Sequence, residues 1–156
     1  MAAREPTPTR PAFPPGYGIS EEAEGMLPWS WAAERLEASR NYWIVTAAAD
    51  GRPHAAPVWG LWLDDALLFG TSPDSRKGRN LARDPRVVIH LESGDEVVIL
   101  EGEVDRARVD DRTADAYEAK YGYRLPGEEL LRLRPRIAFA WLERDYPQTV
   151  TRFSFE

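Results

Sequence analysis

The stretch from Asn41 to Thr71, NYWIVTAAADGRPHAAPVWGLWLDDALLFGT, decides the fold class. Asn41 to Ala48 is rich in β-branched and aromatic residues and runs into Asp50-Gly51, a pair suited to the positive φ angles of a tight hairpin. His54 to Leu63 reads as the second strand, Asp64-Asp65 as the next turn, and Ala66 to Thr71 as the third strand. Parallel neighbours need crossovers of a dozen residues or more, so connections this short make an antiparallel meander.

Downstream, Ser72-Pro73-Asp74 breaks the run and opens a helix from Ser75 to Arg83, which Pro85 stops. Arg86 to Glu92 and Glu96 to Arg108 read as strands joined around Ser93-Gly94-Asp95. A helix over Asp111 to Tyr121 comes next, its aspartates at the positive end of the helix dipole. Glu128 to Leu133 reads as one or two helical turns, and Arg136 to Glu143 and Val150 to Phe155 as closing strands. Upstream, Ser30 is expected to cap a helix that runs to Ser39, with Ala32 and Leu36 on one face. Residues 1–25 hold Pro6, Pro8, Pro11, Pro14 and Pro15 and few large apolar groups. That composition predicts a flexible N-terminal arm ahead of a single domain over residues 26–156. The order of elements predicts a mainly β protein, an antiparallel barrel of about six to seven strands with helices outside it.

The bulk properties remove several function classes. The 156 residues contain no cysteine, which excludes disulfide scaffolds, thiolate metal sites and cysteine nucleophiles, and fits a reducing compartment. The apolar runs are too short to cross a bilayer, and Met1 to Ser20 lacks the apolar stretch of a secretory signal, so a cytoplasmic protein with no membrane partner is expected. A net charge of −6 argues against nucleic acid as a general partner. His54 and His90, the only histidines, stand in no metal-binding pattern, so no metal site is expected. There is no GxSxG elbow, P-loop or GxGxxG turn, and no carboxylates form an evident acid–base pair. The sequence names no catalytic residue, and an enzyme built from it leaves the demanding chemistry to a cofactor.

One segment runs against the acidic background. Arg76, Lys77, Arg79, Arg83 and Arg86 crowd positions 76–86, where Asp84 is the sole acid. Cations in the first turn of a helix oppose its dipole unless an anion is bound there. Thr71, Ser72 and Ser75 offer hydroxyls beside Lys77, which makes the helix start a candidate phosphate cradle. At about 100° per residue, Gly78, Leu81 and Ala82 fall on a side expected to pack on the barrel, while Lys77 and Asn80 share another. Arg76, Arg79 and Arg83 form a stripe that could equally be a solvated face.

Taken in order, Trp43-Ile-Val-Thr46, Asp50-Gly-Arg-Pro-His-Ala-Ala-Pro-Val-Trp59, Phe69-Gly-Thr71, Lys77-Gly-Arg-Asn-Leu-Ala82, Asp84-Pro-Arg-Val87 and Glu101-Gly102 resemble the pyridoxamine 5′-phosphate oxidase-like FMN-binding split-barrel superfamily. The pattern is most similar to the actinobacterial flavin/deazaflavin oxidoreductases, many of which use coenzyme F-420. The resemblance implies a homodimer with cofactor at the subunit interface. It implies Pro57, Val58 and Trp59 beside the ring, and Thr71, Ser72, Ser75, Arg76 and Lys77, with Asn80 nearby, at the phosphate. True pyridoxamine phosphate oxidases carry an Arg-x-His pair near the C-terminus. Thr151-Arg-Phe-Ser-Phe155 has none, so vitamin B6 oxidation is not expected.

Arg79, Arg83 and Arg86 exceed what one phosphate needs and favour the anionic tail of F-420 over FMN. The expected function is hydride transfer from reduced F-420, or FMN, to a small unsaturated acceptor such as a quinone or enone. Tyr42 is a conceivable proton donor, although a packed strand tyrosine is the simpler reading. The alternatives are a non-catalytic split barrel that holds a cofactor or haem, and a decayed site on a protein interaction module.

Overall fold

Ten strands, every pair antiparallel, form one curled sheet in the computed structural model of the protein, which describes residues 4–127 and 129–156. In chain order these are β1 (Thr7–Thr9), β2 (Tyr42–Ala47), β3 (Pro53–Val58), β4 (Leu61–Leu63), β5 (Ala66–Phe69), β6 (Arg86–His90), β7 (Glu96–Arg108), β8 (Glu129–Leu133), β9 (Ile137–Leu142) and β10 (Thr151–Ser154). Four helices pack around them: α1 (Trp29–Ala38), α2 (Arg76–Arg83), α3 (Asp111–Tyr121) and α4 (Tyr146–Thr149). The strand order β1-β10-β9-β7-β6-β2-β3 leaves β3 at an edge. The 13-residue β7 is the hinge of the architecture. Its first part pairs with β6 and β9, and Val104–Arg108 pairs with β8, which carries on to β5 and β4. The mainly β split barrel expected from the meander is therefore present, with more strands than the six to seven anticipated.

The inner faces of β2, β6, β7 and β9 supply Ile44, Ile89, Leu100 and Ala138 to a core that α1 closes with Trp29, Ala32 and Leu36. These three helix positions lie on one stripe, which is why an otherwise charged segment folds as an amphipathic helix. A second, smaller cluster joins Leu61, Leu68 and Leu130 to Tyr117 of α3.

Four local expectations are corrected. Ser30 does not cap α1: Pro28 takes that place without a side-chain cap, and Ser30 lies inside the first turn. The expected strand His54–Leu63 is two strands, because β3 pairs with β2 whereas β4 pairs with β5, and the chain turns between them at Trp59-Gly60. Gly60 is required there, since a Cβ would stand 2.9 Å from the Tyr42 ring. Residues 129–133 form β8 rather than helical turns; Glu128, where that segment was expected to begin, lies outside the described residues. Leu130 and Leu133 have helical spacing, but pairing on both sides with β5 and β7 satisfies the backbone and buries both leucines. Within residues 1–25, read as a flexible arm, β1 pairs with β10, and the Arg10 guanidinium donates to the carbonyls of Glu22, Glu24, Gln148 and Val150. A planar five-donor group meeting four carbonyls holds this segment against α4, which its proline content did not reveal.

Candidate functional site

Helix α2 begins at a loop whose hydroxyls hold one another. Ser75 caps the helix, its Oγ accepting from the Gly78 N–H at 3.1 Å and donating to the Ser72 carbonyl at 2.7 Å. The single Ser75 hydroxyl hydrogen is thereby engaged, so Thr71 Oγ1, 3.0 Å away, is the donor in their contact. Ser72 Oγ accepts from the Asp74 N–H at 3.2 Å and keeps its own hydrogen. The loop lies tight on the helix because position 78 has no side chain: a Cβ there would stand 2.1 Å from the Ser72 carbonyl oxygen. Thr71 and Ser75 thus shape the loop. Among the described residues, the Arg76 and Lys77 N–H groups of the first turn and the side chains of both residues have no hydrogen-bond partner. Arg76 is exposed and Lys77 half-buried. Beside the loop is a cleft of about 510 Å³ lined by Thr71, Pro73, Gly78, Leu81, Val104 and Leu131 among others.

Asn80 faces inward rather than to the loop. It is buried and donates to Thr46 Oγ1 of β2 at 3.0 Å, pinning α2 across the end of β2 and β3. Gly78 and Leu81 are buried as expected, whereas Ala82 is exposed and Asn80 takes the remaining inward position. His54 stands opposite Thr46 in the β2–β3 register, on the strand face that α2 covers, and its buried Nδ1 has no partner among the described residues. The other cations of the segment are engaged within the chain. Arg79 donates to the Asp74 carbonyl at 2.6 Å, Arg83 to the Ala47 carbonyl at 2.9 Å, and Arg86 pairs with Asp84 at 2.7 Å, holding that carboxyl down at about 2.

The ring-lining candidates lie along and beyond β3. Pro57 is on the exposed face of this edge strand, where a residue without an N–H is tolerated, and Val58 is half-buried against the core. Trp59, 39% exposed, lies past the strand end, stacked on Tyr121 of α3 at 4.5 Å and 6° with the Arg40 guanidinium over both rings. Beneath it, the Gly60 N–H donates to Tyr121 Oη at 2.9 Å, and Lys120 Nζ donates to the Gly60 carbonyl and to Tyr42 Oη, both at 2.9 Å. Tyr42 is fully buried and donates to the Leu36 carbonyl; burial raises its hydroxyl well above the ordinary tyrosine range. It is a packed strand tyrosine and not an open proton donor. Burial, then the neighbouring Arg40 charge, brings the Lys120 ammonium down to about 8. The sequence reading missed Lys120 and Tyr121. A signal was available, since Lys77 and Lys120 are the only lysines among 20 cationic residues.

The sequence pattern of the pyridoxamine 5′-phosphate oxidase family matches residues 31–144, most of the chain and all of the site just described. The chain belongs to this family. A curated relative, the pyridoxine/pyridoxamine 5′-phosphate oxidase of Sphingopyxis alaskensis, is 39% identical over 97 residues, covering 58% of this chain and 44% of that protein, so the chain spans less than half of that relative's length. Solved structures show the same fold. The conserved hypothetical protein Rv2991 of Mycobacterium tuberculosis is similar at a TM-score of 0.67 and 23% identity, over 81% of this chain and 91% of that one. An F420 reductase is similar at 0.55 and 22% over 67% and 93%, and an FMN-binding protein of Nostoc punctiforme related to pyridoxamine 5′-phosphate oxidase at 0.55 and 17% over 84% and 98%. No helix among the described residues is long and apolar enough to cross a membrane.

Proposed function

We propose that the protein is an oxidoreductase that binds a phosphorylated flavin or deazaflavin and reduces a small unsaturated acceptor such as a quinone or enone. The observation that carries this reading is the start of α2. Its loop is drawn onto Gly78 and its serine cap is complete, which leaves two N–H groups and two cationic side chains without partners among the described residues. Ser72, Arg76 and Lys77 would hold the phosphate, with Thr71 and Ser75 setting the loop. Pro57 and Trp59 would meet the ring, Val58, whose side chain packs on the core, would offer only its backbone, and Asn80 would fix the helix that carries the cradle. The bound cofactor supplies the hydride. The chain's own residues bind it, orient it and keep the acceptor in place.

FMN and F-420 share the phosphate and differ beyond it, where F-420 continues into an anionic tail. Arg79, Arg83 and Arg86 keep guanidinium donors beyond those engaged within the chain, which supports F-420, but their present partners weaken the case made from charge alone. Vitamin B6 phosphates are not proposed as substrates, because Arg152 is followed two residues on by Ser154 and not by histidine.

A homodimer belongs to the same proposal. Opposite the core, the sheet presents half-buried apolar rows: Trp43 and Ile99 flank His90, Val45 lies beside Val88, and Ile137 and Phe139 continue them on β9. A groove of about 480 Å³ runs over Val45, Val88 and Ile137 between Arg86, Arg136, Glu101 and Glu103. Two arginines and two glutamates on one patch are self-complementary across a two-fold axis, which favours a second copy as the occupant.

The test is turnover. The protein mixed with reduced F-420, and separately with reduced FMN, is expected to oxidise one of them when a quinone or cyclic enone is added. A protein that holds the reduced cofactor but passes no hydride to any acceptor is the non-catalytic binder instead.

A further inference from the structure

Eighteen of the 20 cationic residues are arginines, and the two lysines occupy the two ends of the proposed site. Lys77 stands at the cradle. Lys120 stands at the opposite end, where β3 gives way to β4, with its ammonium between Tyr42 Oη and the Gly60 carbonyl. A flat guanidinium does not reproduce this geometry, which asks for a compact donor that bonds in separate directions. An ammonium has three hydrogens; two go to these acceptors, one of them the carbonyl of Gly60 next to Trp59 in the chain, and the third has no acceptor among the described residues. The side chain is half-buried. The groups around it are Tyr42 of β2, Tyr121 of α3, Arg40 after α1 and Glu37 on α1; of these, only Glu37 carries the opposite charge.

We propose that Lys120 is the proton donor to the acceptor, a role that rests on the reading in which Trp59 lines the cofactor ring. The acceptor's electron-poor carbon receives a hydride from the reduced flavin-class cofactor. The displaced electron pair moves onto the acceptor oxygen, and that oxygen takes a proton from Lys120 Nζ. The acceptor would gain a hydride from the bound cofactor and a proton from Lys120, a two-electron reduction, and the neutral amine would be recharged from water. Tyr42 cannot take this part, because its own hydrogen is directed to the Leu36 carbonyl inside the core. Tyr42 and Gly60 hold the amine in place, and an ammonium that titrates near 8 suits an acid working close to neutral pH.

The experiment compares the wild type with Lys120→Met and Lys120→Gln in three readouts. Competitive acetylation against pH, read by mass spectrometry, is expected to show Lys120 of the wild type gaining reactivity around pH 8. Titration with F-420 or FMN is expected to give unchanged affinity in both variants. Single-turnover hydride transfer is expected to slow by about a hundredfold or more, with partial rescue by added methylamine in Lys120→Gln. Normal transfer rates with cofactor bound overturn the role of Lys120 and leave the proposed function standing. Failure of the wild type to bind either cofactor overturns both.

Discussion

At the residue scale, the side chains that shape the α2 loop are distinct from those that meet the ligand. Lys77→Ala is expected to weaken cofactor binding by about 1.5–3 kcal/mol, ten- to 150-fold in Kd, with the melting temperature nearly unchanged. Fluorescence titration beside a thermal melt checks it; a large loss of stability at unchanged affinity would place Lys77 in the fold and not at the ligand. Lys120 makes a pH prediction. Its folded value, about 8, lies below the ordinary lysine value of 10.5, so between them the unfolded chain binds more protons and this residue makes stability rise with pH. Urea unfolding at about pH 7.5 and about pH 9.5 should therefore show the wild type gaining on Lys120→Met at the higher pH. The window stops short of 10, above which the raised Tyr42 hydroxyl acts in the opposite sense. The start of α2, where the phosphate is proposed to bind, was legible in the sequence because a breaker and the basic residues after it are local signals. The clamp of Lys120 and Tyr121 on Gly60 was not, since it joins groups 60 and 61 positions apart and no periodicity encodes it.

At the element scale, α2 is held at two points, by Gly78 against the Ser72 carbonyl and by Asn80 on Thr46. Gly→Ala inside a helix ordinarily stabilises by about 0.5–1 kcal/mol. Here the added methyl would strike backbone, so Gly78→Ala is expected to destabilise by about 1–3 kcal/mol and to weaken cofactor binding as the loop is pushed away. Denaturant unfolding decides, and a stabilised variant would show that the loop does not rest on the helix. Asn80→Ala removes the inner anchor, leaves Thr46 without its donor, and is expected to cost about 1–3 kcal/mol while hydrogen exchange in α2 quickens. Elements whose reasons are local were read correctly, among them the β2–β3 hairpin and α3 with its Asp110 cap and Gly122 at φ 70°. Those whose reasons are distant were not. β8 is a strand because β5 and β7 lie on either side of it, and β3 parts from β4 because the two pair with different neighbours.

At the scale of the whole molecule, a curled antiparallel sheet leaves one apolar face uncovered and its edge strand beside the cradle. If a second copy covers that face, Val88→Arg should give a monomer by light scattering while the fold persists, because Val88 lies on the side of β6 away from the core. A dimer that survives the substitution would place the interface elsewhere. The central claim is that the start of α2 binds the phosphate of a flavin-class cofactor, and titration of the cofactor-free protein with F-420, FMN and the phosphate-free riboflavin tests it most directly. The predicted result is tight binding of F-420 or FMN and at least about tenfold weaker binding of riboflavin, with the difference largely removed in Lys77→Ala. Equal affinity for riboflavin and FMN with no binding of F-420, or no binding of any of the three, would contradict it.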